Sequence, residues 1–338
     1  MPDETPLLHT PHDTGYHFLF SSKRAFVQLI RSFLKTGWAE QIEETSLVKL
    51  DKSFILPDFR HKEADLVYQA TLGNRSMVFY LLMELQSTVD FLMPFRLHQY
   101  LSALWCDVFQ NTDRKIRERK SFRLPMVVPV VLYNGRSPWT APLNFREMLE
   151  GYETFGEEAP NFPYRLIDVQ NYRLEDLLAR SNLISSVFLL DQVSDFSQII
   201  QRMNLLLDTL RHLSEEDFQL FTGWTQRILT RNMTPRQHDQ ITQVFTNTRP
   251  EEVDSMISNV ERVLKKTYEE AEKKGKKEGK KEGMEEGKKE GIQEGIEQAR
   301  QAMARQMIAK NFALSDIAEL TGLDLTRIEK LQNQQKEE

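Results

Sequence analysis

At 338 residues, 40% of them hydrophobic, the chain is long enough for two ordinary domains and apolar enough to build sizeable cores. A single cysteine, Cys106, excludes a disulfide scaffold and a cysteine-rich zinc site, and fits a reducing, cytoplasmic compartment. The 44 Lys+Arg against 50 Asp+Glu leave a net charge of −6, which argues against a uniformly basic nucleic-acid coat but leaves room for a local basic patch.

Residues 1–12 read as a loose arm. They carry an early acid and lack the basic and apolar regions of a signal peptide. Over 15–35, Phe18, Leu19, Phe26, Leu29, Ile30, Phe33 and Leu34 recur at helical spacing. Strand signals follow at 46–50 and 53–56, then more strongly at 65–71 and 76–86. Between the last two lies Leu72-Gly73-Asn74-Arg75, a hairpin signal because Gly and Asn tolerate positive φ. The 76–86 segment is apolar at nearly every position, as expected of a strand covered on both faces. Residues 94–112 read as a helix. A basic stretch comes next, with Arg114, Lys115, Arg117, Arg119, Lys120 and Arg123 against the one acid Glu118. Residues 126–133 form a β-branched strand closed by Asn134-Gly135, and 162–168 could add another. The alternation of helix, strands, helix and strand predicts an α/β domain with a mixed sheet over 13–173. No apolar run reaches the ~20 residues needed to cross a bilayer.

Beyond residue 174 strand signals fade. Amphipathic helices are expected at 174–190, 195–213, 214–230 and 236–245 and from 251, a helical extension over 174–264. Residues 265–299 are a repeat. Gly275, Gly279, Gly283, Gly287, Gly291 and Gly295 recur at every fourth position among Lys and Glu. The spacing suits either a marginal helix that orders by self-association, giving a homo-oligomer, or a solvated linker. The last segment, 300–338, regains helical periodicity. Gly322 is placed to end one short helix and Asp324 to cap the next, like the entry of a helix-turn-helix.

One constellation could carry chemistry. If the hairpin turn is centred between Gly73 and Asn74, paired positions sum to 147 and Asp65 stands opposite Leu82. Asp65, Glu84 and Gln86 then project from one face, with Asp65 and Glu84 diagonal neighbours about 7–8 Å apart. Two carboxylates at that spacing can share a hard cation such as Mg²⁺, with the Leu85 carbonyl as a further oxygen donor. A loop of odd length would break this parity. The competing reading makes Asp65 a strand cap and Glu84 an acid paired with a base.

With these residues in view, Asp65 followed by Glu84-Leu85-Gln86 on the next strand resembles the signature of the PD-(D/E)XK nuclease superfamily. More closely, the chain resembles the Rpn family of recombination-promoting nucleases and YhgA-like transposases. Further matches are Pro11-His12-Asp13 ahead of Phe18 and Phe20, Arg96 with Tyr100, the run from Pro129 to Gly135 followed by Trp139, and the Lys/Glu-Gly repeats. The resemblance implies a restriction-endonuclease-like core, a mixed central sheet flanked by helices. It implies a DNA endonuclease dependent on Mg²⁺ or Mn²⁺ that promotes recombination. It gives Asp65 and Glu84 the metal, and gives Gln86 the position that a lysine holds in the superfamily motif. Gln supplies an amide dipole where Lys supplies a charge, and Ala64 stands where the motif has proline. His12, Asp13, Arg96 and Tyr100 are auxiliary candidates, and the 114–123 bases are candidates for DNA phosphate contacts. The alternatives are a degenerate nuclease fold that binds DNA or a protein without cleaving, and a regulator acting through the C-terminal helices.

Overall fold

A computed structural model describes residues 11–50, 66–73, 75–84, 89–193, 195–230, 233–246 and 248–337. The chain divides into two compact units, Met1–Lys265 and Lys266–Glu338.

The first unit is built on a five-stranded mixed sheet in the order β1 (Val48–Lys49), β2 (Leu66–Leu72), β3 (Arg75–Glu84), β4 (Met126–Tyr133) and β5 (Arg165–Asp168). β1, β2 and β3 pair antiparallel, whereas β3–β4 and β4–β5 pair parallel. The β2–β3 turn uses Gly73 at φ +59, a conformation that suits a residue without a Cβ. All seven pairs, from Leu66↔Leu81 to Leu72↔Arg75, sum to 147, the register expected from the sequence. The expected strand at 53–56 lies outside the described residues.

The first expected helix is two, α1 (Pro11–Phe20) and α2 (Lys23–Phe33). Ser22 separates them because it is extended (φ −76, ψ 123) and its side chain accepts from the Ala25 N–H. A parallel β3–β4 pair requires a crossover, and α3 (Met93–Asn111) and the short α4 (Arg114–Arg117) lie within it. The short α5 (Tyr152–Phe155) precedes β5. The expected helix at 174–190 is also two, α6 (Leu174–Arg180) and α7 (Leu183–Asp191). Ser181 turns left-handed at φ +44, and Asn182 opens α7 with a capping box. The expected helix at 195–213 is likewise two, α8 (Phe196–Leu205) and α9 (Leu207–Arg211), and the remainder is α10 (Glu215–Leu229), α11 (Pro235–Thr246) and the start of α12 (Val253–Ala309).

Strand alternation sorts the core into two layers. Val67, Val78, Val127 and Val131 pack with Leu97, Tyr100, Leu101 and Leu104 of α3. The other positions, among them Tyr68, Phe79, Leu81, Val130 and Leu132, join a larger core with α1, α2, α7, α10 and the start of α12. The 174–264 helices therefore share one core with the sheet. Arg24 of α2 reinforces the packing, donating from Nε to Asp217 of α10 at 2.7 Å.

In the second unit α12 is helical through the whole glycine repeat, so the segment is a helix here and not a coil-like linker. Lys276–Glu272 at 2.6 Å and Lys274–Glu278 at 3.8 Å pair along its surface at i,i+4 spacing. A Cβ added at any of the six repeat glycines meets nothing within 4 Å. Ala304 and Met307 of α12 then pack with α13 (Leu314–Thr321) and α14 (Leu325–Glu337) through Ile317, Leu323, Ile328 and Leu331. Gly322 ends α13 in the left-handed conformation, and Asp324 accepts from the Arg327 N–H at 2.8 Å, as the sequence predicts.

Candidate functional site

The carboxyl ends of β3, β4 and β5 meet along one edge of the sheet. Glu84 is in register with Tyr133, and Tyr133 with Asp168. Glu84 closes β3. Asp65, Leu85 and Gln86 lie outside the described residues, as do the side chains of Glu84, His12 and Asp13. His12 and Asp13 fall in the first turn of α1. Among the described residues no group of three or more His, Cys, Asp or Glu is arranged to hold a metal ion.

The described part of this edge is tightly organised. Tyr133 is fully buried and its hydroxyl donates to the Ser137 carbonyl at 2.8 Å. Its ring meets Trp139 edge-on, and Trp139 donates in turn to the Tyr164 hydroxyl at 2.9 Å. Gly135 makes this turn feasible, because a Cβ there would sit 2.2 Å from the Tyr133 hydroxyl oxygen. Next to it, Tyr16 of α1 donates to Asp191 Oδ2 at 2.9 Å, and Asn134 donates to the same oxygen at 3.2 Å. Burial is the main cause that raises the Tyr16 phenol well above its ordinary pKa, with the Asp191 charge adding to it. Gln192 donates to the carbonyls of Val169 and Tyr172 at 2.9 and 2.8 Å. Through these bonds α1, the end of α7, the turn after β4 and the turn after β5 are held together.

Beside this network a cleft of about 450 Å³ opens between the β4 and β5 turns, lined by Arg136, Trp139, Asp168, Asn171 and Tyr172 among others. Burial raises the Asp168 carboxyl above its ordinary range, opposed by backbone hydrogen bonds from Asn171 and Gln170. Sequence reasoning passed over Asp168, Asp191 and Tyr16. The usable signals were an acid closing each of two apolar segments, 162–168 and 183–191, and a hydroxyl on the otherwise apolar face of the first helix.

The other candidates fall into two groups. Arg96 forms an ion pair with Asp90. Tyr100 is buried in the layer between α3 and the sheet. Both belong to α3, which begins nine positions after Glu84. The 114–123 bases lie elsewhere. Their segment leads into Met126, which pairs with Met77 at the amino end of β3. Seven positions of parallel strand separate Met77 from Glu84, about 23 Å at 3.3 Å per residue. Several of these side chains are anchored locally. Arg114 pairs with Glu118 at 2.7 Å, Arg117 stacks over Phe109 at 4.8 Å, and Arg123 donates to the Lys120 and Phe122 carbonyls.

Comparison with known proteins adds three findings. The sequence pattern of the family described as "Putative transposase, YhgA-like" matches residues 10–220. Recombination-promoting nuclease RpnC of Escherichia coli strain K12 is 25% identical over 245 residues, 70% of this chain and 74% of that protein. Recombination-promoting nuclease RpnD of Escherichia coli O157:H7 is 29% identical over 135 residues, 38% of this chain and 48% of that protein, so this match spans about half of its length. No solved structure matches. No helix of the described residues is long and apolar enough to cross a membrane.

Proposed function

Because the chain belongs to the YhgA-like putative transposase family, we propose that it is a divalent-metal-dependent DNA endonuclease whose site uses Asp65, Glu84 and Gln86 and whose cleavage promotes recombination. The observation that carries this reading is the β2–β3 register. The assignment needs paired positions that sum to 147, and all seven described pairs do. Glu84 ends its strand at the carboxyl edge of a mixed sheet, the edge where α/β sheets commonly bind ligands. The names of the two relatives point to the same activity.

The proposed donors, two carboxylates and the Leu85 carbonyl, are all oxygens, a set that suits Mg²⁺ or Mn²⁺. Bound there, such an ion would polarise a scissile phosphate and lower the pKa of a coordinated water. Asp65 and Glu84 hold and orient. The Gln86 amide can donate to or accept from the attacking water but adds no charge. The hydrogen bonds of Asp191 and Tyr133 tie the turn after β4 to α1 and to the end of α7, and His12 and Asp13 lie in the first turn of α1.

Supercoiled plasmid incubated with and without Mg²⁺ or Mn²⁺ tests the proposal. Metal-dependent nicking that disappears in Asp65→Ala and Glu84→Gln is expected. No nicking, or nicking unchanged in Asp65→Ala, refutes it. Gln86 in place of lysine gives one alternative a specific basis: a nuclease fold that binds DNA without cutting it. Retained DNA affinity without cleavage, unaffected by Glu84→Gln, would favour that reading.

A further inference from the structure

At the amino ends of β3 and β4 a groove of about 1030 Å³ opens, on the edge of the sheet opposite to Glu84. Its lining is mainly carbon, with Val108, Ile116, Phe122, Leu124 and Met126 among the contributors. Three of these are unusually open for apolar side chains: Met126 is 62% exposed, Ile116 48% and Leu124 43%. Arg75, Arg119 and Arg123 line the same groove, with Asp107 as an acid beside them. Arg119 and Arg123 are held in place by hydrogen bonds to the carbonyls of Lys115, at 3.0 Å, and of Lys120 and Phe122, at 2.8 and 2.7 Å. Each of these bonds uses one nitrogen of a guanidinium that carries five N–H donors. The segment 114–123 has six bases and one acid in a chain of net charge −6, so the positive charge is local.

We propose that this groove binds a single-stranded segment of DNA, with unpaired bases against the apolar wall and phosphates on Arg75, Arg119 and Arg123. Apolar and aromatic surface beside fixed cations is the combination that takes unpaired nucleotides. A duplex keeps its base faces stacked inside and offers phosphates and groove edges, which would leave the apolar wall without a stacking partner. The inference rests on the nuclease reading for its choice of DNA and deepens it. The substrate is DNA with an unpaired stretch held about 23 Å along the sheet from Glu84. An acidic peptide is the competing occupant, since its carboxylates would also pair with arginine.

Binding is measured by fluorescence anisotropy on the full chain in EDTA, so that cleavage plays no part. The probes are a labelled oligothymidine of about 20 nucleotides, long enough to fill such a groove, a blunt duplex of the same length, and a polyglutamate peptide. Wild type is expected to bind oligothymidine more tightly than the other two. Arg119→Ala/Arg123→Ala, with unchanged circular dichroism, is expected to weaken that binding at least about tenfold and to reduce the salt slope by about 1.4. Phe122→Ala is expected to weaken it severalfold with the salt slope unchanged. If the double arginine variant does not fold, Arg75→Ala supplies the charge test, with a slope reduced by about 0.7. Equal or tighter binding of duplex or polyglutamate overturns the proposal, as does wild-type affinity in the arginine variants or no binding of oligothymidine at all. The plasmid assay judges the nuclease reading separately. Metal-dependent nicking with no oligothymidine binding would sink only the groove, and oligothymidine binding with no nicking would sink only the nuclease.

Discussion

Gly135→Ala tests the architecture of the proposed catalytic edge most directly. The glycine does not have a positive φ, so the cost arises from space and not from backbone conformation. An added Cβ would lie 2.2 Å from the Tyr133 hydroxyl oxygen and 2.3 Å from the ring carbon that bears it. Neither atom can simply turn aside, because Tyr133 is fully buried, held to Ser137 and packed against Trp139. Displacing the ring gives up a hydrogen bond with a net value of about 1 kcal/mol. Overpacking a filled site adds about 1–3 kcal/mol. The expected loss is therefore about 2–4 kcal/mol, read as a lower urea midpoint with an unchanged slope. Tyr133→Leu removes the obstructing ring end, so Gly135→Ala should cost much less in that background, as contacting residues do not add. A loss under about 0.5 kcal/mol in the wild-type background, or full additivity with Tyr133→Leu, would refute the close-approach argument.

Two further outcomes are expected. Asp168 has a raised folded pKa, so its charged form is disfavoured by folding, and stability attributable to it is lost as pH rises through that pKa. Asp168→Asn should accordingly be more stable than wild type near neutral pH, with the gain fading as the solution is acidified into the carboxylate range. Chemical denaturation across pH reads this, and a gain that grows on acidification would contradict it. In the repeat, Gly283→Ala/Gly287→Ala/Gly291→Ala should stabilise α12 by up to about 1 kcal/mol per site, since the glycines meet nothing that a methyl would strike. Thermal melting followed by far-ultraviolet circular dichroism should move upward. A drop in helicity would mean that the glycine stripe is packed against a partner helix in solution.

The local features of this protein are legible in its sequence because they depend on neighbours in the chain. The apolar run at 126–133 gives β4 its full length. Gly73 and Asn74 between two apolar segments set a register that the seven described pairs keep. Gly322 and Asp324 end and cap helices where short-range hydrogen bonding says they should. Helix breaks were harder to read. The breaks at Ser22 and Ser181 leave the apolar periodicity nearly intact, and the capping bonds that mark them compete only weakly with it. In the repeat, propensity and spacing point in opposite directions, so its sequence suits both a helix and a linker.

What the tertiary structure decided is which ends coincide. Sequence places the basic segment immediately before a sheet strand. Only the parallel pairing of β3 with β4, made through a crossover, puts that segment at the edge opposite to Glu84. The same folding brings Tyr16, Asn134 and Asp191 to one carboxylate oxygen from positions up to 175 residues apart. It also turns Gly135 from a generic turn residue into one that a buried hydroxyl requires. Periodicity and capping are set by contacts within a few residues and can be read along the chain. Register between distant strands and sharing of a buried oxygen are set by the packing of the whole core, which no local pattern encodes.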